Sequence, residues 1–226
     1  MRTKFRSPVI RLVIAVATIA IATLLWFRFR NPGIEQDART ILSEMDQGDG
    51  TGLYHHGYEH ERKLLGLTPG KIDALYKRLI IPRLSGFHPA GPVQSMVNRD
   101  ASQGFAWQTM RDDAGHSIDF DATPWNTPNG GKQMVMARLQ TAWIVEFRMK
   151  RGKSTDSEGC AEAMIEGVAH DRKTLEDIGI HGMVADDPEI PMCPWDLFTR
   201  RWTRFAARLR AEKAAGIPPV PTTSKG

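Results

Sequence analysis

A chain of 226 residues, 41% hydrophobic and 25% charged, has a globular composition with room for one domain and accessories, which excludes wholesale disorder. The net charge of +4 suggests nucleic acid only until the charges are located. Arg2, Lys4, Arg6, Arg11, Arg28 and Arg30 lie in the first thirty residues with no Asp or Glu, so 24 basic residues face 26 acidic ones beyond them, a net of −2. A slightly acidic domain has no general attraction for phosphates, and nucleic acid is excluded as a partner.

Residues 1–7 read as a cytoplasmic tail and 8–28 as a transmembrane anchor. Leu12 to Phe27 carries no charge, and extension back to Pro8 gives about twenty residues, enough to cross a hydrocarbon core of roughly 30 Å. Arg11 can snorkel, and Trp26 and Phe27 suit the far interface. Positive charge is heavier before the segment than after it, which predicts a cytoplasmic N-terminus and an exoplasmic or periplasmic domain in a single-pass cell-membrane protein. Membrane lipid is thus the expected partner of the N-terminus. The alternative is a cleaved signal peptide, with Ala20-Ile21-Ala22 as the small-residue processing pattern; the domain is exported on either reading.

After a linker at 29–33, residues 34–215 read as one exported α+β domain, helix-dominated with a small antiparallel sheet. Ile34, Ala38, Ile41, Leu42 and Met45 recur at helical spacing. A polar turn from Gly48 to Gly52 leads into a less regular helical stretch from Leu53 to Leu67. Thr68 as N-cap and Pro69 as first residue predict the next helix, with Ile72, Leu75, Tyr76, Leu79 and Ile80 on one face and Pro82 as its stop. Segments 93–99, 103–110 and 116–123 then predict a three-stranded meander, with Phe105, Trp107, Ile118 and Phe120 alternating against a wet face of Ser117, Asp119 and Asp121. Residues 132–150 fit a helix by length and a strand by their final alternation. A leading helix, a Gly-Asp turn, more helix and then strands is similar to NTF2-like domains over at most half of the chain. That resemblance carries no specific motif, and it implies a long curved sheet, hence a strand at 132–150. Ser157 is a candidate cap for a helix running to about Ile178, closed by Gly179 with Ile180 folding back. Trp195 to Lys213 predicts the last helix, and 216–226 a frayed tail.

Four groups could carry chemistry. His56 and His60, four apart, would share a helix face and with Glu61 could begin a divalent-metal site. Asp119 and Asp121 put two carboxylates on one strand face, the pattern that holds Mn²⁺ or Mg²⁺ in glycosyltransferases, although fifteen aspartates make one Asp-x-Asp expected by chance. Cys160 and Cys193 are readable as a structural disulfide in an oxidising compartment, or as two buried thiols. Trp195, Phe198, Trp202 and Phe205 line one side of the last helix opposite Arg200, Arg201, Arg204 and Arg208. That face can dock on the core, on an anionic membrane or in a protein partner. No cofactor-binding motif and no nucleophile elbow is present. The sequence therefore favours a non-enzymatic binding or assembly module at the membrane surface, with a small exported metal-dependent hydrolase or transferase as the alternative.

Overall fold

The computed structural model describes residues 32–152, 156–184 and 192–216. The expected membrane helix at 8–28 and the tail after 216 lie outside them, and among the described residues no helix is long and apolar enough to cross a membrane. The domain is a mixed α+β structure in which helix predominates over small antiparallel sheets.

Helix α1 (Pro32–Gln47) buries Ile34, Ala38, Ile41, Leu42 and Met45, each large side chain stabilising the fold by about 1.5–3 kcal/mol. It lies across the main sheet, in which β3 (Gly104–Arg111) is flanked by β4 (Ser117–Ala122) on one edge and by β1 (His88–Pro89) and β2 (Gln94–Val97) on the other. The meander forms as predicted, but its faces are not all as predicted. Cross-strand partners lie on one face, and the register Ala106↔Ala122, Trp107↔Asp121 and Gln108↔Phe120 puts Trp107 beside Asp121, away from the core. The core side of β3 is instead Gly104 and Ala106, both buried. The cause is the approach of α1: a Cβ on Gly104 would overlap the Ile34 carbonyl. Aromatics cannot occupy a strand face that a helix backbone touches.

Beyond α1 the helices stack in succession. The polar turn at 48–52 is already helix: Asp49 caps α2 (Gly50–His56) by accepting from Thr51 N and Gly52 N, and Asp73 accepts from Gly50 N at 2.8 Å. Gly50 abuts the Pro69 carbonyl and Gly52 abuts Glu44, so α2 can sit against both neighbours. After α3 (Glu59–Leu64), α4 (Pro69–Leu75) opens as predicted, with Thr68 Oγ1 accepting from Lys71 N. Pro82 does not stop it. The chain widens into a π turn (Tyr76–Ile80) and continues as α5 (Ile81–Leu84), with Ile81 N reaching Tyr76 O. Widening relieves the clash of a proline ring with the preceding turn.

The hairpin of β5 (Trp125–Thr127) and β6 (Gly130–Lys132) precedes α6 (Ala137–Arg151). Residues 132–150 are thus mostly helix, and the curved sheet implied by the NTF2-like resemblance is not formed. Helix α7 (Ser157–Asp177) is capped by Asp156 rather than Ser157. It ends as predicted, Gly179 at φ +77° and Ile180 N donating to Leu175 O at 2.8 Å. Strands β7 (Gly182–Val184) and β8 (Met192–Pro194) form a small ribbon before α8 (Trp195–Ala214).

Helices α7 and α8 run antiparallel, since Arg172 pairs with Asp196 while Arg210 pairs with Glu158 and Glu162. This corrects the expected disulfide. Cys160 sits at the Arg210 end and Cys193 at the Asp196 end, and they form no disulfide. The twelve residues from Cys160 to Arg172 alone rise about 18 Å, whereas a disulfide needs Cα atoms within about 7 Å.

Helices α6 and α7 meet where Trp143, 1% exposed, lies on Gly167. A Cβ at Gly167 would fall inside the indole. Overpacking of this kind costs up to about 3 kcal/mol, against about 1 kcal/mol gained in helix propensity. Gly167→Ala is expected to destabilise the protein by about 2 kcal/mol in chemical denaturation; an unchanged midpoint would show that the two helices separate freely.

Candidate binding site

The structure does not bring the proposed metal ligands together. Gly57 ends α2 and its N–H turns back to the Tyr54 carbonyl, so His56 and His60 stand on different helices. The backbone leaves the helix there to pair with Gln133, whose N–H donates to His56 O at 3.0 Å and whose carbonyl accepts from Tyr58 N at 3.3 Å. His56 Nδ1 lies 2.8 Å from Glu44, and this hydrogen bond raises the imidazole pKa. His60 is exposed. Asp119 and Asp121 share the outer face of β4 as expected, and Asp119 accepts from Thr109 Oγ1 at 2.8 Å. Among the described residues no group of three or more His, Cys, Asp or Glu side chains is placed to hold a metal ion.

Glu61 has a different position from a metal ligand. Its side chain is fully buried, and its two oxygens accept the N–H groups of Val135 and Met136 at 2.6 and 3.0 Å. Those donors immediately precede α6, so α3 fixes where α6 begins. Burial pushes the Glu61 carboxyl up to about 7, against the pull of the two N–H donors.

Two residues into α6 stands Arg138, only 2% exposed. Its guanidinium lies 3.9 Å over the Phe120 ring, and among the described residues its Nε and Nη2 have no hydrogen-bond partner. Burial lowers its pKa; Tyr76, Asp121 and Asp46 act on it by charge, yet no carboxylate reaches ion-pair distance among the described residues. Arg138 lines a cleft of about 160 Å³ together with Tyr58, Asp121, Thr123, Trp125 and Thr141. The N-terminus of α6 opens onto the same cleft with no side-chain cap among the described residues, so the positive end of its helix dipole lies at the cleft. No motif in the sequence marks Arg138. The available signal was its spacing: positions 138, 142 and 145 share the buried face of α6, and an arginine there is out of place.

A larger cleft of about 480 Å³ lies between α5, α6 and α7. Arg83 donates there to Asp171 at 2.8 Å, to the Leu79 carbonyl at 2.9 Å and to Glu146. Trp143 Nε1 donates to the other Asp171 oxygen at 2.6 Å, and His170 Nδ1 lies 2.8 Å from Asp171. Every charge in this network has a partner within it. Its chemistry is that of a tie between helices, satisfied without a ligand.

The aromatic face of α8 turns inward. Trp195 and Phe198 are buried, Trp202 and Phe205 are half-buried, and the four rings follow one another at centroid separations of 6.0, 5.9 and 5.7 Å. Trp195 Nε1 donates to the Ile180 carbonyl at 3.0 Å, fixing the helix on the β7–β8 ribbon.

No protein-family model, curated protein or solved structure matches this chain.

Two outcomes follow from the buried charges. The folded protein keeps a proton on Glu61 that the unfolded chain releases above its ordinary pKa of 4.5. Its contribution to stability therefore falls as pH rises from about 4.5 to about 7 and is level above that, by about 3 kcal/mol in all. Melting curves across this range should decline more steeply for the wild type than for Glu61→Gln; parallel curves would refute the assignment. Removing the unpaired charge at Arg138 should help the fold, because the desolvation penalty of several kcal/mol exceeds the roughly 2 kcal/mol from stacking on Phe120. Arg138→Met is expected to stabilise the ligand-free protein by about 2 kcal/mol in thermal unfolding, and a lower melting temperature would make Arg138 a structural residue.

Proposed function

We propose that this protein is a membrane-anchored, exported, non-enzymatic binding module, with the Arg138 cleft as its ligand position. The observation that supports the binding role is the buried guanidinium whose Nε and Nη2 lack acceptors among the described residues while its side chain lines an open cleft. Buried polar groups in folded proteins are almost always paired, and an orphaned charge is the kind of exception that a bound group resolves. Selection for stability alone would replace it by an apolar side chain. The anchoring part rests on the uncharged run from Leu12 to Phe27 and on the excess of positive charge before it. The helix would hold the domain near the outer membrane surface, where the ligand arrives from the exoplasmic or periplasmic side.

Catalysis has less support. The Asp119 and Asp121 carboxylates and the His56, His60 and Glu61 side chains point to separate tasks, and the Arg83–Asp171 network is saturated by its own members.

A reporter enzyme active only outside the cytoplasm, fused after Gly226, is expected to be active in cells. Activity confined to a cytoplasmic reporter at the same position would overturn the exported placement.

A further inference from the structure

The charges around the Arg138 cleft restrict what can fill it. On the binding-module reading above, the geometry points to a small zwitterion, an α-amino acid of few atoms, whose carboxylate sits between Arg138 and the start of α6 and whose ammonium faces Asp121. Two independent features mark the anionic end. One is the N-terminus of a fifteen-residue helix with no side-chain cap. The other is the 2%-exposed arginine, on the second residue of that helix, with two unpartnered nitrogens. A planar carboxylate matches the fork of a guanidinium, and the positive end of the helix dipole adds to the attraction.

Asp121 sets the other end. It lines the same cleft, is exposed, and acts on Arg138 by charge without reaching ion-pair distance. The two opposite charges face one cavity and leave a gap between them. A phosphate dianion would be held by Arg138 but repelled by Asp121. A simple carboxylate would leave Asp121 unanswered, and a simple amine would leave Arg138 unanswered. A molecule carrying both charges satisfies both walls. The cleft, about 160 Å³, is smaller than the clefts of roughly 300–1,000 Å³ that take drug-sized ligands, which suits glycine, alanine or serine. Trp125, 50% exposed on the rim, offers a surface for a short side chain.

The test is calorimetric titration of the full-length protein in detergent with glycine, alanine, serine, acetate, methylamine and inorganic phosphate. Binding is expected for the amino acids, at least tenfold weaker for acetate and methylamine, and absent for phosphate. Arg138→Met, assessed for folding by its melting curve, should lose amino-acid binding. Asp121→Asn should weaken the amino acids at least tenfold while acetate binds no more weakly than to the wild type. Acetate or phosphate binding as tightly as alanine, and lost in Arg138→Met, would overturn the zwitterion while leaving an anion-binding module. No heat from any probe would overturn both the zwitterion and the role of this cleft in the proposed function.

Discussion

The placement of α6 depends on a carboxylate that has no contact with water. Glu61 reaches from α3 to the N–H groups of Val135 and Met136, joining segments 74 and 75 residues apart in sequence. The peptide groups before a helix need acceptors, and a buried carboxylate left without donors is expensive, so each side of this contact solves the other's problem. Once that junction is set, α6 is set. Trp143 is then directed onto Gly167 of α7, and Arg138 is held against Phe120 of the sheet. The Arg83 network closes the far side of α6 through Glu146 and Trp143. One buried acid thus fixes both the helix stack and the geometry of the cleft.

Where elements approach most closely, glycine rather than a large apolar residue permits it. Gly104 lets α1 lie on β3, Gly50 lets α2 meet the start of α4, and Gly167 receives the face of Trp143. Large side chains fill the layers between these contacts, with Ile41, Leu42, Ile72, Leu75 and Leu139 nearly or wholly inaccessible. Close-packed interiors leave little room for adjustment. A domain built on touching backbones therefore keeps its cleft walls at fixed separation, which a site selecting a ligand by the distance between two charges requires.

Periodic elements were legible from sequence, and long-range contacts were not. The spacing of Ile34 through Met45, the Thr68-Pro69 start, the three strands and the Gly179 cap are local signals, and each appears where local chemistry puts it. Trp107 fails because its direction depends on a helix seventy residues earlier, through Gly104. The Cys160–Cys193 pairing fails because the antiparallel course of α7 and α8 separates two residues that both flank helices. His56 and His60 fail as a pair because the backbone between them pairs with Gln133, a residue distant in sequence. At the site, Asp121 was visible as an exposed strand carboxylate. Glu61 was grouped with the wrong neighbours, and Arg138 was hidden inside an apolar helix face.

The contrast between the two clefts argues for binding at the smaller one. Both hold a buried arginine, and the surroundings of the two arginines differ in kind. Arg83 is neutralised by Glu146 and Asp171 and also satisfies the Leu79 carbonyl, so a ligand there would have to displace existing bonds. Arg138 has aromatic support on one face, charge at a distance and donors without acceptors. A ligand that reached Arg138 would break no hydrogen bond of Nε or Nη2 among the described residues. Pre-organisation of this sort lowers the cost of association. On the proposed binding role, the cost of leaving Arg138 unpaired is what a ligand would recover as affinity.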